Sequence, residues 1–126
     1  MRTWLLVGVG GAIGAVARHA VTGVVLRASS LAPFPAAIFI VNVVGSGLIG
    51  LLAGVAAGGR IHVSPDWRAF LAVGVLGGFT TFSSFSLDTL TLARGGYFAQ
   101  ALTNVVGQVV LSLLAALVGY RIGSGL

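Results

Sequence analysis

Four long stretches of this sequence carry almost no charge, and each is long enough to cross a membrane. A helix needs about 20 predominantly apolar residues to span the hydrocarbon core of a bilayer. The stretches cover about residues 3–26, 35–57, 67–92 and 97–120. Short connections separate them, and an even number of crossings places both termini on one side. The sequence therefore predicts an all-α membrane protein with a single four-helix domain over residues 1–126.

Composition supports this class and argues against several others. Only 7% of the residues are charged, whereas a soluble domain carries about 25%. The net charge of +5 comes from scattered arginines, without the basic clusters of a nucleic-acid-binding surface, so membrane anchoring is the better interpretation and no nucleic acid partner is predicted. The sequence offers no nucleophile with a base, no paired carboxylates and no metal-ligating cluster, so no enzyme is predicted. A chain this short cannot enclose a wide pore alone, which predicts a membrane oligomer.

The first stretch admits a second interpretation, a secretory signal peptide. Arg2 provides a charged start, an apolar run follows, and residues 15–17 (Ala-Val-Ala) resemble a cleavage site. Against this, glycines at 10, 11 and 14 suit helix packing, and the apolar pattern continues past Arg18. We therefore expect a membrane helix here.

The third stretch is interrupted by residues that suit a lipid-facing helix poorly. The uncharged run from Ala69 to Leu87 contains three glycines and then five hydroxyl residues between Thr80 and Ser86. Glycine and hydroxyl side chains weaken a helix. At membrane depth the freed backbone groups need protein, water or an ion, so breaks of this kind line cavities or binding sites. The pattern predicts that the third helix is broken near its middle and that function lies there.

Two other helices carry polar stripes at helical spacing. Asn42 and Ser46 share one face of the second helix, and Asn104, Gln108 and Ser112 follow one another at four-residue intervals in the fourth. Such side chains either bond neighbouring helices or line an aqueous path. The three polar side chains in line on the fourth helix favour an aqueous path. On the second helix, the Asn42 amide offers N–H donors to an anion.

Phe82 and Phe85 lie on one face of the third helix among hydroxyl residues. Packing in lipid would explain most such pairs. A phenyl edge carries partial positive charge, however, and contacts an anion weakly, as conduction requires. Arg18 either snorkels to the interface or attracts anions at a vestibule. Asp88 is either a helix-end carboxylate, which we favour, or a proton carrier.

The arginines give little orientation signal. On the four-crossing topology, Arg2, Arg60, Arg68 and Arg121 fall on one side and Arg18, Arg27 and Arg94 on the other. Positive-inside orientation depends on a bias. The near balance predicts either insertion in both orientations with antiparallel pairing, or a modest preference for the four-arginine side in the cytoplasm.

Three strings of residues, in this order and spacing, resemble the signatures of one known family. They are Gly10-Gly11-x-x-Gly14-Ala15-x-x-Arg18, Val41-Asn42-x-x-Gly45-Ser46 and Gly77-Gly78-Phe79-Thr80-Thr81-Phe82-Ser83-Ser84-Phe85. The chain resembles the small bacterial fluoride channels, the CrcB/Fluc family, over essentially its whole length. The third string is highly specific. One departure lies in the fourth helix, where the family carries mostly hydroxyl side chains and this chain has Asn104 and Gln108.

The resemblance implies a passive, fluoride-selective channel in the inner (plasma) membrane that exports cytoplasmic fluoride and protects the cell from its toxicity. It implies an antiparallel, dual-topology dimer with a second copy or a sister chain. The pore residues it implies are Phe82, Phe85, Asn42, Thr81, Ser83, Asn104, Gln108 and Ser112, with Arg18 at a vestibule. The resemblance also implies a structural Na+ ion at the dimer centre, held by the backbone carbonyls of Gly77 and Thr80 of both chains. Oxygen atoms are a suitable ligand type for a hard cation.

Two other functional classes stay open from the residues alone. A small four-helix multidrug transporter exchanges protons for a cationic drug and needs a carboxylate within the membrane, for which Asp88 is the candidate. A non-transporting structural subunit would use the glycine-rich faces for packing alone.

Overall fold

The computed structural model of the protein describes residues 1–59 and 61–125. These residues form α1 (Arg2–Ala28), α2 (Ala36–Ala57), α3 (Pro65–Arg68), a π-helical segment (Ala69–Leu76), α4 (Gly77–Phe79), α5 (Phe82–Arg94) and α6 (Phe98–Ser124). The pieces from Pro65 to Arg94 follow one another as one span, here called the third span. Within the described residues, four spans are long and apolar enough to cross a membrane. The prediction of an all-helical protein with four membrane-spanning helices is confirmed.

The first and third spans begin side by side at one end of the molecule. Arg2 Nε lies 3.2 Å from Asp66 Oδ2, and Thr3 Oγ1 donates to Asp66 Oδ1 at 3.3 Å. The Arg2 side chain is exposed, and a surface ion pair of this kind contributes at most about 1 kcal/mol. The contact nevertheless shows that these two spans start at the same end, as alternating crossings require. Arg60, which we expected at this end, lies outside the described residues.

The third span begins with a capped turn and then winds more widely. Ser64 Oγ accepts from Trp67 N at 3.4 Å, and Pro65 occupies the first helical position, where its missing N–H removes no helical hydrogen bond. Residues Ala69–Leu76 then adopt π-helical hydrogen bonding, a winding that is frequent near functional sites. This segment leads directly into α4.

The spans pack mainly as two pairs, α1 against the third span and α2 against α6. Glycines let the backbones of each pair approach. A Cβ atom on Gly10 would lie 2.7 Å from Phe70 O, and one on Gly14 would overlap the Val75 carbonyl. Because lipid tails are as apolar as the helices, close packing of small residues replaces the hydrophobic effect as the force that holds helices together.

The outer surface is apolar along every span. Val16, Leu48, Val73 and Leu113 are each more than 40% exposed, one on each of the four spans. Such a surface suits a lipid environment and not water. The protein is therefore a multi-pass membrane protein.

Candidate functional site

Helical geometry stops for two residues in the third span. Thr80 (φ −81°, ψ 158°) and Thr81 (φ −156°, ψ 117°) are extended between α4 and α5. The amide and hydroxyl of Thr80 both donate to Leu76 O, at 3.0 and 2.9 Å. Thr81 Oγ1 caps α5 by accepting from Ser84 N at 3.2 Å. Hydroxyl residues thus end one helix and start the next.

Side chains from α1 and α2 satisfy backbone groups that this interruption leaves out of the helical pattern. Asn42 Oδ1 accepts from Thr81 N at 2.8 Å, and Asn42 Nδ2 donates to Thr81 O at 3.0 Å. Arg18 Nη1 donates to Thr80 O at 3.4 Å. Since lipid offers no hydrogen bonds, this pairing is what allows extended backbone in a membrane span.

A cavity of about 490 Å³ opens beside the interruption, between α2, the third span and α6. Most of the predicted site residues line it, namely Asn42, Gly77, Thr80, Thr81, Phe82, Phe85, Gln108 and Ser112. The structure therefore brings together residues from three predicted helices that lie up to 70 positions apart in the chain. Apolar side chains such as Ile49, Leu76 and Val109 complete the wall.

Three predicted site residues lie outside this lining. Ser83 is exposed, and its hydroxyl is 3.0 Å from Thr81 Oγ1. Asn104 is fully buried and bonds Thr89 and Gln108. Arg18 is half-buried at the interruption. Their roles in a pore stay predictions.

The two phenyl rings pair at the mouth of the cavity. Their centroids are 5.2 Å apart, and the ring planes are tilted by 44°. Phe85 is only 9% exposed, whereas Phe82 is 77% exposed. The pair therefore leads from the surface of the chain into the buried part of the cavity.

Sequence reasoning left two polar residues of this region out of the predicted site. Ser46 lines the cavity one helical turn after Asn42, and their shared face was visible in the sequence. Thr89 accepts from Asn104 Nδ2 at 2.9 Å. No sequence pattern connects Thr89 with Asn104, because the contact between them depends on how α5 and α6 pack.

Two carbonyl groups near the interruption fit the oxygen chemistry that a hard cation requires. The amide of Thr81, which would close the helical bond to Gly77 O, donates to Asn42 Oδ1. Gly77 is exposed and lines the cavity together with Thr80. Carbonyl oxygens of this kind are suitable ligands for Na+. Among the described residues, no group of three or more His, Cys, Asp or Glu could hold a metal ion.

Asp88 lies in α5, outside the cavity lining. Its Oδ2 atom is buried and lacks a hydrogen-bond partner among the residues that the structure describes. Neither its assignment as a helix-end carboxylate nor the proton-carrier alternative is tested by this geometry.

A profile of the family described as "CrcB-like protein, Camphor Resistance (CrcB)" matches residues 5–120, nearly the whole chain. The chain belongs to the CrcB family. The resemblance drawn from the sequence motifs is thereby confirmed. Curated relatives in this family share close to half of their residues with the chain over nearly full length.

The "Fluoride-specific ion channel FluC" of Paramagnetospirillum magneticum is 48% identical over 95% of this chain and 94% of that protein. The protein of the same name from one strain of Thermus thermophilus is 45% identical over 100% of this chain and 98% of its own length. The protein of the same name from Paracoccus denitrificans is 48% identical over 98% of this chain and 96% of its own length. All three are therefore similar to this chain across every membrane span.

Proposed function

We propose that this chain is a fluoride-selective ion channel that exports cytoplasmic fluoride passively and protects the cell from fluoride toxicity. The single observation that carries the proposal is the cavity at Thr80 and Thr81, where phenyl rings and amide side chains converge at membrane depth. Its context is a family whose relatives, 45–48% identical, are named fluoride-specific ion channels. The weak acid HF enters the cell and ionises at neutral pH, and the channel lets the trapped anion leave down its gradient.

The wall of the cavity suits a small, strongly hydrated anion. The positive edges of Phe82 and Phe85 offer weak contacts, and hydroxyl or amide groups replace the hydration shell one contact at a time. Weak binding at several points allows an ion both to enter and to leave. Thr81, Ser83, Asn104, Gln108 and Ser112 are the proposed polar track, and Arg18 supplies positive charge at a vestibule.

The working unit that we propose is an antiparallel dimer in the inner (plasma) membrane, formed with a second copy or a sister chain. The support is that the cavity mouth is incomplete in one chain. Phe82, next to polar groups, is 77% exposed, and Gly77 is exposed as well. A partner packed on this face would cover both residues.

A structural Na+ ion between the two chains is part of this proposal. Gly77 O and Thr80 O of each chain would hold it, and when bound it would supply a fixed positive charge that joins the two interruptions. The chemistry of these oxygens supports the assignment. Arg18 Nη1 donates to Thr80 O at 3.4 Å in the single chain, so the guanidinium would have to release this oxygen for the ion to bind.

The test is fluoride efflux from liposomes that contain only this purified chain, with chloride as the competing anion. We expect fast efflux that excludes chloride, and loss of most of it in Phe82→Ile, because an aliphatic side chain has no positive edge. Efflux that appears only when a sister chain is added would establish a heterodimer. Absence of efflux in both preparations would contradict the proposal.

A further inference from the structure

A continuous chain of hydrogen bonds crosses three helices beside the cavity. It begins at the Thr81 amide, which donates to Asn42 Oδ1 at 2.8 Å. Asn42 Nδ2 in turn donates to Gln108 Oε1. These first links join the interruption in the third span to α2 and then to α6.

The chain of bonds continues along α6 and returns to α5. Gln108 Nε2 donates to Asn104 Oδ1 at 2.9 Å, and Asn104 Nδ2 donates to Thr89 Oγ1 at 2.9 Å. Thr89 Oγ1 finally donates to Phe85 O at 2.8 Å. Both ends therefore rest on the backbone of the segment that carries the phenyl rings.

The direction of every link follows from one backbone group. A peptide N–H can only donate, so the Asn42 atom facing Thr81 N is its oxygen, and the other end is the NH2 group. That NH2 group must face the oxygen of Gln108, and the same argument then orients Asn104. The three amides are consequently locked in one orientation each.

Counting amide hydrogens identifies the donor that is left over. Each amide NH2 carries two hydrogens. Asn42 uses both, one on Thr81 O and one on Gln108 Oε1. Gln108 and Asn104 each use one within the network. Asn104 is fully buried and outside the lining, whereas Gln108 lines the cavity.

We propose that the second Nε2 hydrogen of Gln108 is the amide donor that contacts fluoride in this channel, and that Asn42 is a positioning residue. This inference rests on the proposed function. Asn42 holds the Gln108 amide by its oxygen, and Asn104 takes one of its hydrogens, so the remaining N–H is directed by two fixed contacts. Pre-set donors of this kind bind an ion without the cost of reorganising.

The experiment is a fluoride titration of the full-length wild-type chain in lipid nanodiscs, with the side-chain amides of Asn and Gln labelled with 15N. Assignment uses Gln108→Met and Gln100→Met, since Gln100 lies on the same helix outside the cavity lining. We expect one of the two Gln108 hydrogens to shift downfield and saturate with fluoride but not with chloride. The Asn42 hydrogens should shift much less, because both are already bonded.

Efflux from the same preparations separates this inference from the proposed function. We expect Gln108→Met to lower the fluoride flux by about tenfold or more, the usual order for a lost hydrogen bond to a charged group. Gln100→Met should keep the wild-type flux. Wild-type efflux without a Gln108 shift, or with the largest shift at Asn42, would overturn the inference and leave the channel standing. A fluoride-dependent Gln108 shift in a chain that gives no efflux would support the assignment of Gln108 as the donor and would contradict the proposed channel function.

Discussion

At the residue scale, the Asn42 side chain pairs with the backbone N–H and C=O of Thr81, which the interruption leaves without helical partners. Its amide group offers one oxygen and two hydrogens, and it contacts Thr81 N, Thr81 O and Gln108 Oε1 with them. A hydroxyl side chain carries a single hydrogen and could not make both donor contacts. One side chain therefore ties α2 to the interruption and to α6.

Removing this amide should destabilise the protein. In Asn42→Ala two backbone groups of Thr81 lose their partners, and each unsatisfied buried group costs about 1–3 kcal/mol. We expect the free energy of unfolding in mixed detergent micelles to fall by roughly 2–5 kcal/mol, measured by tryptophan fluorescence. Gln100→Ala, which removes an amide outside this network, is the control. Equal stabilities of the two variants would contradict the assignment.

Asp88 provides a second test at this scale. A proton-coupled transporter would depend on this carboxylate, whereas a passive channel depends on the phenyl pair. We expect Asp88→Asn to retain more fluoride efflux than Phe82→Ile, with no requirement for an imposed pH gradient. The opposite ranking in matched liposomes would favour the transporter.

At the element scale, the contact between α1 and the third span depends on glycines that have no room for a side chain. A Cβ atom on Gly14 would overlap the Val75 carbonyl and lie 2.7 Å from Phe79 N. Backbone atoms cannot move aside as a flexible side chain can, so the helices themselves would have to separate. Because Phe79 immediately precedes the extended residues, this contact also supports the site.

Gly14→Ala should therefore destabilise the protein, while the matched change Gly8→Ala should not. A Cβ atom on Gly8 meets nothing within 4 Å, and alanine favours helix by up to about 1 kcal/mol. For Gly14→Ala we expect a loss of about 1–3 kcal/mol, the usual cost of overpacking. Unfolding in mixed micelles measures both variants, and comparable stability would show that α1 is not held by this contact.

At the scale of the whole molecule, the near balance of arginines and the exposed cavity mouth both concern how two chains meet. Exposed apolar residues cover every span, so lipid solvates the outside, but the polar face around Gly77 and Phe82 is poorly suited to lipid. An antiparallel partner would cover that face. Such a partner requires chains inserted in both orientations.

Labelling of single introduced cysteines tests this requirement directly, because the chain contains no cysteine. Ser30 and His62 are both exposed, in connections at opposite ends of the spans. For a dual-topology homodimer we expect a membrane-impermeant maleimide, applied to cells with an intact inner membrane, to label about half of Ser30→Cys and about half of His62→Cys. Complete labelling of one variant and none of the other would show a single orientation and favour a sister-chain partner.

The sequence by itself determined the class of the protein, the number of its membrane spans and its family. Hydrophobic length is a local property, so each span could be recognised without its neighbours. The family followed from short strings whose spacing is likewise local. The string around Thr80 and Thr81 also marked where a helix would be weak, since glycine and hydroxyl residues lower helix propensity wherever they stand.

Only the tertiary structure decided which polar groups are used and which are left for a ligand. Helical spacing placed Asn42 and Gln108 on polar faces, but their bond joins residues 66 positions apart. The link between Asn104 and Thr89 depends equally on the rotation and register of two packed helices. Periodicity specifies which residues share a face and not which face they meet. The spare hydrogen of Gln108 could therefore be found only after α2, the third span and α6 had been placed together.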